Sequence, residues 1–118
     1  MRMENNTNAD YISFMNNSKW ERVFDFLRAE LNRDHGNVKL VSTENLYSIL
    51  FFTMTEDRRY TEDYISGPIK LNEIEWLQIP VEENFDYEEF CEHFAKIGTF
   101  ECELKGSVIY IYGYKRRK

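Results

Sequence analysis

The sequence predicts an α+β domain, a mainly antiparallel sheet of about five to six strands with two main helices packed on it, most simply on one face. Three observations predict it. Apolar residues recur at helical spacing in two separate stretches, around 18–31 and 86–97. Between and after them lie short alternating or continuously apolar runs bounded by turn residues. The resulting order, α-β-β-β-β-α-β-β, groups strands together instead of alternating each with a helix, which favours antiparallel pairing.

The first helix is expected from Ser18. Ser18 with Glu21 reads as a capping box, and Trp20, Val23, Phe24, Leu27 and Leu31 then form one apolar stripe. Asp34-His35-Gly36-Asn37 ends it, with Gly36 suited to a left-handed cap. Residues 7–16 add a short leading turn of helix. Val38–Val41 is a short strand candidate. Leu46–Met54 is apolar on both alternate sets, as in a strand covered on both faces. Glu56–Arg59 is a charged turn, and Tyr60–Ser66 a return strand broken by Gly67-Pro68. Ile74–Val81 is a further strand whose Pro80 marks its end or an exposed edge.

The second helix is expected from about Asp86 to Ile97. Asp86 with Glu89 repeats the cap, Tyr87, Phe90, Cys91, Phe94 and Ile97 form the buried stripe, and Gly98 closes it. The chain ends in a hairpin. Phe100, Cys102 and Leu104 alternate with Glu101 and Glu103, a turn runs through Lys105-Gly106-Ser107, and Val108–Tyr114 returns. Residues 1–17 form a polar arm or short helix, 18–114 one domain, and 115–118 a basic tail.

Size, charge and cysteine content narrow the function classes. At 118 residues one core closes without disulfides or metal. The longest apolar run, Ile49–Phe52, is far short of the roughly 20 residues that cross a bilayer. The asparagine-rich opening has neither a basic start nor an apolar block, so a cytoplasmic protein with Cys91 and Cys102 reduced is expected. Net charge is −6. The last four residues hold four of the 15 basic side chains, which leaves 11 against 21 acids over the rest. Such a surface repels phosphate backbones and disfavours nucleic acid.

Catalytic chemistry finds little to use. Cys91, His93 and Cys102 are the only soft ligands close in sequence, and two residues apart on a helix Cys91 and His93 diverge, so neither a metal site nor a Cys–His nucleophile is expected. The glycines are isolated and make no phosphate cradle. Carboxylate pairs such as Glu88 and Glu92 fit a solvated helix face. No catalytic residue and no cofactor is assigned.

Two features point to a binding surface instead. Between Lys70 and Lys96 stand eight acids and neither Lys nor Arg. Capping accounts for Asp86 and, in part, for Glu88 and Glu89, but not for Glu82, Glu83 and Glu92 together. A negative patch attracts a basic partner and speeds its association. Tyr110, Tyr112 and Tyr114 share one face of the last strand, and with Trp76 they supply the residue types that anchor interfaces.

Ser18-Lys19-Trp20, Tyr64-Ile65-Ser66-Gly67-Pro68 leading to Ile74-Glu75-Trp76-Leu77-Gln78-Ile79, and the ending Ile109-Tyr110-Ile111-Tyr112-Gly113-Tyr114 resemble a family of small bacterial proteins of unknown function. The resemblance runs from about Ser18 to Tyr114. Its motifs are structural in character, so it implies no active site. By size and type such proteins also look like immunity proteins of bacterial toxin systems. The expected function is therefore a protein that binds and blocks a basic toxin domain, such as a nuclease. Glu82, Glu83, Asp86, Glu88, Glu89 and Glu92 would carry the contact, with Trp76, Tyr110 and Tyr112 as anchors. The alternative is a non-catalytic interaction domain that forms a homodimer through a sheet edge, and a third is a small enzyme using scattered carboxylates and Cys102.

Overall fold

The computed structural model describes residues 11–53, 57–63 and 67–116. Nine strands and two α-helices occur among them: β1 (Tyr11–Ser13), α1 (Asn17–Glu30), β2 (His35–Leu40), β3 (Leu46–Leu50), β4 (Tyr60–Asp63), β5 (Gly67–Lys70), β6 (Ile74–Pro80), α2 (Tyr87–Phe94), β7 (Cys102–Lys105), β8 (Val108–Tyr112) and β9 (Tyr114–Arg116). Seven strands form one antiparallel sheet in the order β5-β4-β3-β2-β6-β8-β7. From β2 the chain meanders outward to β5, and β6 then returns to the other side of β2. The expected α+β class and antiparallel sheet are what the structure has, with more strands than the pattern suggested.

The extra strands arise in two ways. The return strand β4 is described to Asp63, and Gly67-Pro68 opens a further strand, β5, pairing Glu62 with Pro68. β5 is an outermost strand, where a residue without an N–H is tolerated. Separately, Tyr11–Ser13 forms strand β1 where a leading turn of helix was expected, because it pairs with β9 at the end of the domain and the start of the basic tail. Residues 1–10, Arg117 and Lys118 lie outside the described residues, as does Tyr64–Ser66 of the return strand and of the resembling motif.

α1 starts earlier than its expected cap. Asn16 is extended and its side chain accepts from the Lys19 amide at 2.8 Å, which leaves Ser18 inside the first turn. Asn caps about as well as Ser, and Asn16 takes the role in place of Ser18. At the far end, the left-handed residue is Asn32 (φ 54°), not Gly36. Gly36 is buried in β2, where a Cβ would lie 2.8 Å from the Phe51 ring, so its smallness serves packing.

Both helices cover one face of the sheet. Trp20, Val23, Phe24 and Leu27 of α1 and Phe90 and Phe94 of α2 share the core with Val38, Ile49, Leu77, Ile79, Ile109 and Ile111. The expectation that Leu46–Met54 is covered on both faces does not hold. Ile49 and Phe51 are buried, whereas Leu46 and Phe52 are 54% and 51% exposed, because no helix among the described residues lies on the second face. Met54 is outside the described residues. β6 is central, so Pro80 marks its end, opposite Val108, and not a sheet edge.

One bend decides the course of the C-terminus. β8 stops at Tyr112, and Gly113 passes so close to β6 that a Cβ there would lie 2.2 Å from the Ile74 carbonyl oxygen. Gly113 donates its N–H to Glu75 O at 2.8 Å and accepts from Phe14 N at 2.9 Å, stitching β6 to the β1–β9 ribbon. Tyr114 therefore leaves the face that carries Tyr110 and Tyr112. Its ring meets Tyr11 edge-on, and its hydroxyl donates to Asn72 O at 2.7 Å.

Candidate functional site

α2 is fixed at its start by two local devices. The Asp86 carboxylate accepts from the Glu89 amide at 3.0 Å, as its spacing predicts. Phe85 just before the cap and Phe90 in the first turn place their rings 5.9 Å apart, a hydrophobic staple that sets the entry angle of the chain. The helix is shorter than expected and ends at Phe94, and turns carry the chain through Ile97. From α1, Phe26 packs 5.7 Å from Phe90 and 5.1 Å from Phe94, so the two helices lie side by side.

Where the end of α1 faces the start of α2, two adjoining depressions of about 280 and 220 Å³ share Glu30, Leu31 and Phe85. Together they form a trough. Leu31, Val81, Phe85 and Phe90 supply apolar lining, and Glu30, Glu82, Asp86 and Glu89 stand around it. Arg33 also lines the first depression, and in the second His93 Nδ1 lies 3.8 Å from Glu30 Oε1.

All six acids expected to meet a partner, Glu82, Glu83, Asp86, Glu88, Glu89 and Glu92, are exposed. None of them forms an ion pair among the described residues, whose pairs involve other acids. Three of the six line the trough, and Glu83, Glu88 and Glu92 do not. Glu75, part of the same acidic run in sequence, belongs elsewhere. It accepts from Lys39 Nζ at 2.5 Å with both side chains mostly buried.

The aromatic candidates lie on the other side of the sheet. Leu77, Ile79, Ile109 and Ile111 point to the helices, so the alternating Trp76, Gln78, Tyr110 and Tyr112 face away. Trp76 and Tyr110 meet edge to face at 5.1 Å, Tyr110 and Tyr112 stack at 6.3 Å, and Gln78 Nε2 donates to Tyr110 Oη at 3.1 Å. Lysines cap the group. Lys105 Nζ sits 5.2 Å from the Tyr110 ring centre and Lys115 Nζ 4.8 Å from that of Tyr112. Tyr112 is only 8% exposed. Burial and the nearby Glu103 carboxylate push its phenol up to about 12. The structure thus brings Trp76, Tyr110 and Tyr112 together and keeps them apart from the acids of α2.

The Cys102 thiol is held towards its protonated form. Cys102 faces the helices, and the Tyr87 hydroxyl donates to its Sγ at 3.6 Å. Burial pushes the Cys102 thiol up, away from the thiolate that would attack a substrate. His93 turns to Glu30. Among the described residues no group of three or more His, Cys, Asp or Glu is arranged to hold a metal.

Sequence reasoning missed Glu30, Leu31 and Phe85. The staple from Phe85 to Phe90 was readable from their spacing about a cap. The approach of α1's last turn to α2 was not, since it depends on how two helices pack.

Fold and site define an antiparallel α+β domain with an acid-rimmed trough between its helices. The chain belongs to a family of unknown function, DUF6678, whose model matches residues 3–118. Comparison with curated proteins and with solved structures gave no match.

Proposed function

We infer that this protein works by binding another protein, a basic one, through the exposed carboxylates of α2 and the loop before it. An immunity-type inhibitor that covers the basic active surface of a toxin domain, such as a nuclease, is the form of that activity we favour. The observation that carries this reading is the set of six exposed acids without an ion-pair partner among the described residues. Concentrating like charge costs stability unless something offsets it, and a cationic surface does so on binding. The same charge disfavours nucleic acid as a partner. No described helix is long and apolar enough to cross a membrane. Free Cys91 and Cys102 suit a reducing compartment, and we place the protein in the cytoplasm. Reversal of Glu83, Glu88 and Glu92 to Lys should leave the fold intact and weaken a captured basic partner by about tenfold or more, as read by calorimetry. Unchanged affinity would sink the reading.

Self-association is the second reading, favoured by the edge strand β7 with Leu104 37% exposed. Light scattering across a dilution series separates the two: a persistent dimer supports it, and a monomer removes it.

A further inference from the structure

The trough between α1 and α2 is more selective than a charged patch. A flat anionic surface attracts any cation, and strength then follows charge alone. Here the carboxylates of Glu30, Asp86 and Glu89 line the trough with apolar ground formed by Leu31, Phe85 and Phe90, while His93 sits 3.8 Å from Glu30 and Arg33 lines the adjoining depression. Each of the two depressions, about 280 and 220 Å³, has room for a side chain. The rim repels acidic or phosphorylated occupants.

We propose that this trough docks a cationic segment of another protein that lays one aliphatic or aromatic side chain against Phe85 and Phe90 and sets Lys or Arg opposite Glu30, Asp86 and Glu89. Buried anchors dominate such contacts, while flanking charges set approach and register. The proposal rests on the protein-binding reading above and narrows it from attraction by charge to recognition by an anchor.

The test uses the full chain and three labelled peptides of about twelve residues, a length that spans a helix-in-groove contact. One carries lysines and a leucine stripe, the second the same lysines with the leucines replaced by serine, and the third the leucine stripe with glutamates for lysines. Fluorescence anisotropy ranks them, and amide chemical shifts locate the contact. The lysine–leucine peptide is expected to bind at least about tenfold more tightly than the lysine–serine peptide, with the glutamate peptide not binding. Shifts should centre on Leu31, Phe85 and Glu89. A Glu30→Gln, Glu89→Gln double variant, with its fold checked by the same spectra, should lose about tenfold in affinity.

Equal binding by the two lysine peptides overturns the anchor while leaving attraction by charge standing. Absence of binding by every peptide overturns both. Shifts centred on Trp76 and Tyr110 place the contact on the wrong face and overturn the proposal. Concentration-dependent shifts of the trough amides without peptide assign it to a second copy of the chain and overturn it too.

Discussion

The strand face around β6, β7 and β8 and the start of α2 handle charge in opposite ways. On the helix-free face, Lys39 meets Glu75, Lys115 meets Glu101 and Glu103, and Lys105 meets Glu103, with two of these lysines also resting over tyrosine rings. At the start of α2 on the helix-covered side, Glu82, Asp86, Glu88 and Glu89 stand exposed and form no ion pair among the described residues, although Arg33 lines the same depression as Glu82 and α1 pairs Glu21 with Arg58 and Glu30 with His93. A face that satisfies its own charges and covers its own rings offers a partner little. A face that gathers charge and leaves it unanswered keeps that interaction available. The difference turns the expectation of one combined surface into two, and the proposed partner contact falls on the α2 side.

The largest effect should come from the floor beneath the trough. Phe90 is 4% exposed and packs against Phe26, Phe85, Tyr87 and Phe94. Phe90→Ala should cost about 3–5 kcal/mol in chemical denaturation, because the surrounding rings cannot close the cavity. A cost near that of an ordinary surface change would mean that α2 is not held as described.

Next comes the ion pair of the helix-free face. The Lys39 and Glu75 side chains are 14% and 16% exposed. Lys39→Ala leaves the glutamate covered and unmatched, for a loss of about 2–4 kcal/mol. The Lys39→Met, Glu75→Leu double variant should recover most of it. Equal losses in the single and double variants would show that the pairing is not what matters there.

Tyr110→Phe is smaller still. Loss of the bond from Gln78 should cost about 1 kcal/mol, with no change in partner affinity if binding belongs to α2. A fall in affinity would break the comparison of the two faces directly.

Tyr112 shows its effect only in alkali. Its phenol ionises near 10 when unfolded and is pushed up to about 12 in the fold. Below pH 10 both states hold the proton and stability is unaffected. As pH rises from about 10 towards 12 the unfolded chain loses its proton first, so stability should fall across that window. Tyr112→Phe should flatten that fall when unfolding is followed against pH, whereas an unaltered slope would assign it to another group.

Much of this fold was legible because its signals are local. The stripes of α1 and α2, the Asp86 cap, the strand at Ile74 and the final hairpin each follow from residues a few positions apart. β5 was missed because Pro68 reads as a breaker, and only its place at the sheet edge makes it tolerable. The β1–β9 ribbon was missed because it pairs opposite ends of the chain. The same limit applied to the candidate site. The acidic run was plain, but Glu75 left it for Lys39 on a neighbouring strand, and Glu30 joined the trough from another helix. Tyr114 was grouped with Tyr110 and Tyr112 because alternation continues through Gly113 on paper, whereas close packing against Ile74 bends the real strand away.

The most direct test of partner binding on the α2 side is a parallel capture from the source cell's lysate with three baits: the wild-type protein, a Glu82→Lys, Glu88→Lys, Glu89→Gln variant, and a Trp76→Ala, Tyr110→Ala variant, each verified as folded. The account predicts a stoichiometric basic protein on the wild-type and aromatic-face baits, released as salt rises and missing from the acid-reversed bait. A partner kept by the acid-reversed bait and lost by the aromatic-face bait would contradict it.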